Sequence, residues 1–187
     1  GGKSPCIVDA SCTDFEGAAL KIAHGKLLNG GQTCIAPDYL LLPRGQEQAF
    51  AQAARAAVAR LFPRIEGNPD YAAIVSERHH ARLQALLDEA RAAGARIEQL
   101  APAAAGRQLA PVLVFGATPQ LRLMREEIFG PILPVLPCDG AEEAIAHINA
   151  GDHPLALYWF GSDAGARDAV LARTVSGGVT VNDTLLH

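Results

Sequence analysis

Asn29-Gly30-Gly31-Gln32-Thr33-Cys34-Ile35-Ala36-Pro37-Asp38-Tyr39 separates a helical pattern from a strand-like run, Tyr39 to Leu42. Upstream, Phe15, Ala18, Ala19, Ile22 and Ala23 recur at helical spacing behind Thr13 or Asp14 as a cap. That predicts a helix to about Leu28, with Gly30 able to end it in a left-handed conformation. Downstream, Asp38 to Pro43 reads as a buried strand. Adjacent glycines let backbone N–H groups converge on one spot and let a ligand approach closely. A thiol in such a loop is placed for covalent chemistry, because a thiolate is the strongest side-chain nucleophile near neutral pH. A cysteine is also commonly a small buried hydrophobe. The residues alone leave both readings open.

The alternation continues outward from this stretch. Ile7-Val8-Asp9 reads as a strand. Glu47 to Leu61 is alanine-rich, with Phe50, Ala54, Val58 and Leu61 on one face, and Pro63 stops it. Asn68-Pro69 marks a loop, Ser76 to Ala93 a second long helix ending at Gly94, and Arg96 to Glu98 a strand. The alanine, proline and glycine of 99–108 read as a loop. Pro111 to Phe115 and Leu121 to Met124 read as strands, and Pro131 to Pro137 as extended chain. Ala141 to Asn149 is helical. Leu155 to Gly161 is a strand, Ser162 or Asp163 caps a helix to Arg173, and Val179 to Val181 is the last strand. The fold expected is α/β, a three-layer α/β/α sandwich around a mainly parallel sheet. Ligands in open sheets gather at the carboxyl ends of strands, and the Cys34 and Glu127 segments are expected to meet at one such face.

Length and composition suit one domain with a sizeable core: 187 residues, 49% apolar. A net charge of −4 and a pI near 5.8 argue against nucleic acid or an anionic membrane as partner. No apolar run reaches membrane-spanning length and no signal-peptide pattern opens the chain. Cys6, Cys12, Cys34 and Cys138 are scattered, without the spacing of a zinc site or redox pair, so reduced thiols in the cytoplasm are expected. The histidines form no metal pattern, and His79-His80 reads as surface. Gly2-Lys3-Ser4 mimics the end of a phosphate loop, but Pro5 forces extended chain there and argues against an NTPase. The chain opens on Gly-Gly without methionine and stops without a cap, which reads as a fragment of a larger enzyme or a processed product.

Gly31-Gln32-Thr33-Cys34-Ile35-Ala36-Pro37-Asp38-Tyr39 resembles the catalytic-cysteine signature of aldehyde dehydrogenases, in the class 3, fatty-aldehyde and coniferyl-aldehyde form. Gly1-Gly2-Lys3-Ser4-Pro5 resembles the tail of the family's Glu-Leu-Gly-Gly-Lys-Ser-Pro motif. Glu126-Glu127-Ile128-Phe129-Gly130-Pro131 resembles its cofactor-contact motif, and Ser176 to Asp183 its late strand. The four stand in the family's order across the whole chain.

The resemblance implies the catalytic domain of an NAD- or NADP-dependent enzyme oxidising an aldehyde to an acid. Cys34 would be the nucleophile, forming a thiohemiacetal and then a thioester, with its own backbone N–H as one oxyanion donor. Glu127 would bind the nicotinamide-ribose hydroxyls, Phe129 would pack by the nicotinamide, and Asn182 would steady the loops around the cysteine, although by itself Asn182 reads equally as a residue that satisfies a turn. The general base, second oxyanion donor, dinucleotide domain and oligomerisation arm would lie outside these residues, so the chain by itself is expected to be inactive as a dehydrogenase. Ala156 to Phe160 and Asn182 to His187 look most like coniferyl-aldehyde enzymes, so an aromatic or medium-chain aldehyde is expected, and a homodimer for the longer protein. Two alternatives stay open: a weak cysteine esterase, and an interaction module self-associating through the edge near Val179 to Val181.

Overall fold

The computed structural model describes residues 2–187; Gly1, the first residue of the Gly-Gly-Lys motif, lies outside them. Seven strands form one sheet in the order β3-β4-β5-β2-β1-β6-β7. They are β1 (Pro5–Val8), β2 (Tyr39–Leu42), β3 (Arg96–Gln99), β4 (Val112–Phe115), β5 (Ile132–Pro137), β6 (Ala156–Phe160) and β7 (Gly178–Val181). Every neighbouring pair is parallel except β3 with β4. The helices are α1 (Phe15–Leu27), α2 (Glu47–Leu61), α3 (Glu77–Ala92), α4 (Arg122–Arg125), α5 (Ala141–Asn149) and α6 (Ala164–Arg173).

Alternate residues of each strand enter opposite layers, because strand side chains alternate across the sheet. Cys6, Val8, Leu40, Leu42, Tyr158 and Phe160 face α1 and α2, where Ile22, Phe50 and Val58 meet them. Ile7, Leu41, Leu157 and Trp159 face α5 and α6. Val112, Val114 and Ile132 face α3 through Leu83, Leu86 and Leu87. Central strands buried on both faces explain the unbroken apolar runs Tyr39–Leu42 and Ala156–Phe160. The three-layer sandwich is therefore the one expected.

Asp14 and Asp163 are among the caps expected, and Ser76, expected as the first residue of its helix, caps it instead. Asp14 accepts from Gly17 N (2.9 Å), Ser76 from His79 N (3.1 Å) and Asp163 from Ala166 N (3.0 Å), each satisfying an otherwise orphaned donor. One expected strand is instead a helical turn: Leu121 to Met124 lies at α4. β4 and β5 are direct parallel neighbours, so their connection must return to the amino edge of the sheet with no free strand beside it. Its backbone therefore bonds itself, Met124 N to Leu121 O and Glu126 N to Arg122 O, while Arg122 pairs with Glu89 of α3.

The edge that gathers the motifs also differs from expectation. Lys3 precedes β1, Cys34 precedes β2 and Glu127 precedes β5, so all three lie at the amino edge of the parallel strands. A loop running from a helix into a parallel strand must lie there. The carboxyl-edge rule concerns the loops that leave strands.

Candidate active site

Three successive left-handed residues turn the chain after α1: Asn29 (φ 52°), Gly30 (φ 65°) and Gly31 (φ 78°). Glycine tolerates this at little cost and asparagine better than most residues. Gln32 then fastens the loop. Its Oε1 accepts from Val75 N (2.8 Å), and its Nε2 donates to Asn29 O (2.9 Å) and Ala73 O (3.2 Å). On the other side of the thiol, the Tyr158 hydroxyl donates to Ile35 O (2.6 Å), and Ala36 N closes a turn on Thr33 O (3.2 Å). Cys34 sits at the top of this doubly tied turn and is exposed. The other thiols are different. Cys6 is fully buried and burial pushes its pKa far up; Cys138 is pushed to about 11, again chiefly by burial. Half-buried Cys12 is raised by burial, with Asp14 and Asp9 adding to it.

The Glu127 turn is locked against this loop. Asp38, 3% exposed, accepts from Ile128 N (3.0 Å) with one oxygen and pairs with the Lys3 ammonium through the other. Lys3 Nζ also donates to Leu123 O and Glu126 O, both at 2.9 Å. All of the ammonium's donors are thus used in joining the entries to β1, β2 and β5, and none remains for a phosphate. From α3, Arg82 donates to Glu127 O (2.7 Å) and Ile128 O (2.8 Å), and His79 Nε2 lies 2.7 Å from Phe129 O. His79 is half-buried and bound, so the surface reading of the histidine pair fails for it. Phe129 itself has φ 56°, a conformation costing a bulky residue about 1–2 kcal/mol. These donors hold the strained backbone in place.

The Glu127 carboxylate has no hydrogen-bond partner among the described residues. It borders a cleft of about 590 Å³ with Lys3, Tyr39, Arg125 and His147. An open carboxylate beside a cleft suits a pair of vicinal hydroxyls, so the residues present fit the ribose of a dinucleotide. Burial lowers the pKa of His147, against a smaller opposing pull from Glu143. No group of three or more His, Cys, Asp or Glu among the described residues could hold a metal.

Asn182 lies elsewhere. It follows β7 at the carboxyl edge, where its Oδ1 accepts from Gly161 N (2.8 Å) and its Nδ2 donates to Gly161 O (3.0 Å). Both halves of its amide serve that turn, and no partner belongs to the Cys34 loop. Beyond it, Thr184 Oγ1 donates to Lys21 O (3.0 Å) and the His187 ring lies 5.9 Å from that of Tyr158. The tail thus runs back along α1 toward the tyrosine that holds Ile35.

Lys3, Asp38, Gln32, His79 and Arg82 were not among the expected site residues. For the last two a signal existed, since positions three apart on one helix share a face. For Lys26 the signal was periodicity: it continues the buried stripe of Ala19, Ile22 and Ala23, and it is 3% exposed.

The profile of the Aldehyde dehydrogenase family matches residues 1–187. The chain is 48% identical over 193 residues to a protein of Caulobacter vibrioides named probable coniferyl aldehyde dehydrogenase, covering 100% of this chain and 40% of that protein. Substrate-bound AldH of Staphylococcus aureus superposes with a TM-score of 0.91 at 36% identity, over 100% of this chain and 40% of the other. An NADP-dependent glyceraldehyde-3-phosphate dehydrogenase of Bacillus halodurans, in complex with NADP, does so at 0.88 and 28%, over 99% and 39%. The chain therefore spans about 40% of the length of the relatives it matches. With its whole length matched, the chain belongs to the aldehyde dehydrogenase family.

Proposed function

We propose that this chain is the cysteine-bearing catalytic domain of an NAD- or NADP-dependent aldehyde dehydrogenase, and that Cys34 is its nucleophile. The observation that carries the reading is the exposed Cys34 thiol on a loop fixed from both sides, packed against the turn that carries Glu127. The Cys34 sulfur attacks the aldehyde carbon, giving a thiohemiacetal whose oxyanion the Cys34 N–H helps to hold. Loss of hydride from that carbon leaves a thioester on Cys34, and water releases the acid. The dinucleotide, when bound, supplies the hydride acceptor. Glu127 would accept from its ribose hydroxyls and Phe129 would pack by its nicotinamide, both presented on a turn that Asp38, Arg82 and His79 fix. Asn182 serves indirectly, by anchoring the tail that reaches Tyr158.

The base that activates water, the second oxyanion donor and the dinucleotide-binding domain are proposed to come from the remaining length the relatives carry, as is the arm of a homodimer. An aromatic or medium-chain aldehyde is the proposed substrate, in keeping with the coniferyl name of the Caulobacter relative. No helix among the described residues is long and apolar enough to cross a membrane, and a cytoplasmic enzyme is proposed. The test is aldehyde-dependent reduction of NAD or NADP by the longer protein. The wild type turns over coniferyl-type aldehydes and Cys34→Ala does not; turnover by Cys34→Ala would refute the assignment.

A further inference from the structure

Lys26 stands on the last turn of α1, one turn before the loop that presents Cys34. It is 3% exposed, and its ammonium nitrogen is buried with no hydrogen-bond partner among the described residues. A charge buried without a hydrogen bond is costly, and neighbouring opposite charges can offset part of that cost. The small cavity beside it is otherwise lined by apolar side chains, among them Ala54 and Val58 of α2, Leu100, Pro111, Pro131 and Leu133. The charged groups that act on it come from the three strand entries: Asp38 before β2, Lys3 before β1 and Glu127 before β5. Asp38 already holds Lys3 and the Ile128 N–H. With Lys26 protonated the four groups sum to zero; with Lys26 neutral, Asp38 and Glu127 outweigh Lys3.

We propose that Lys26 is a positioning residue, an internal counter-charge that as ammonium balances Asp38 and Glu127 and steadies the Glu127–Gly130 turn, and as free amine releases it. The role deepens the dehydrogenase reading and rests on it only for its kinetic consequence. Burial pushes the Lys26 pKa down to about 8; attraction to Asp38 opposes this, repulsion from Lys3 adds to it, and Glu127 opposes it more weakly. The switch therefore operates just above neutral pH. Positions three and four residues earlier on the same stripe are apolar, so a methionine would fill the space of the stem without the charge.

The test is an NMR titration of this chain from pH 6 to 11, observing lysine side-chain nitrogens and the Ile128 amide, with the Lys26 signal assigned by its loss in Lys26→Met. Lys26 should titrate near 8, well below the ordinary lysine range, and the Ile128 amide shift should follow the same midpoint. Asp38→Asn should lower the Lys26 midpoint, and Glu127→Gln should lower it less. A Lys26 midpoint in the ordinary lysine range, or one indifferent to both substitutions, overturns the proposal. In the longer protein, Lys26→Met should slow turnover on the order of tenfold and flatten the loss of rate above pH 8 that the proposal predicts for the wild type. Failure of aldehyde oxidation altogether would count against the dehydrogenase reading, while the titration would still decide the counter-charge.

Discussion

A β-carbon placed on Gly31 would lie 2.3 Å from the carbonyl oxygen of Gly130. The loop that presents Cys34 and the turn that carries Glu127 therefore touch backbone to backbone, with no side chain between them. Gly31 also needs its φ of 78° to make the approach. Gly31→Ala should cost about 2–4 kcal/mol, combining left-handed strain with an overpacked contact. Gly45, at φ 87° with nothing nearby, supplies the control: Gly45→Ala should cost only about 1–2 kcal/mol. Chemical denaturation of both variants measures the difference, and equal losses would mean that the contact is slack.

Asp38→Asn keeps the shape of the side chain and removes its charge. Lys3 would lose its only anionic partner among the described residues, and the acceptor held by Ile128 N would weaken. Breaking a buried pair from one side costs about 3–5 kcal/mol. Lys3 is 17% exposed at its side chain, which places the expected loss at about 3 kcal/mol. A thermal unfolding midpoint unchanged from wild type would show that water takes over the role of Asp38.

The four thiols should separate sharply under brief alkylation. Cys34 is the exposed one, whereas burial holds the pKa of Cys6 far up and that of Cys138 at about 11. Since only the thiolate reacts, mass spectrometry of a sub-stoichiometric iodoacetamide reaction should find the label on the Cys34 peptide first, with Cys6 unlabelled until the chain unfolds. Earlier labelling of Cys12 would contradict the exposure on which the site depends.

Lys26 makes stability depend on pH in a defined direction. Its folded pKa near 8 lies below the unfolded value, so between the two the unfolded chain binds more protons. Its contribution is unfavourable below pH 8 and fades as pH rises toward about 10.4. Lys26→Met should thus be more stable than wild type at pH 7, on the order of 3 kcal/mol, with the gap closing through that window. A variant less stable at pH 7 would mean that the ammonium has a partner strong enough to offset its burial.

Much of this was legible before any coordinates, for physical reasons. The runs Glu47–Leu61 and Ala141–Asn149 carry strong helix formers and clear apolar faces, and they are helices over those bounds. Leu121–Met124 misled because its alternation of leucine with other residues is too short to separate a strand from one turn of helix. The amino-edge position of Cys34 was in fact implied by the order helix, loop, strand, but the carboxyl-edge rule for ligands obscured it. The Lys3–Asp38 clamp could not be read at all, since the two residues are 35 apart and meet only when β1 pairs with β2. The motif placed Asn182 near the cysteine, while the residue type alone allowed a turn-satisfying role, and its amide is occupied by the Gly161 turn.

The central claim is that Cys34 carries the acyl group during turnover. In the longer protein, supplied with NAD or NADP and an aromatic aldehyde and then quenched in acid, peptide mass spectrometry should find the acyl mass on the peptide containing Cys34. An acyl group on another residue, or turnover by the enzyme with residue 34 never modified, would contradict it.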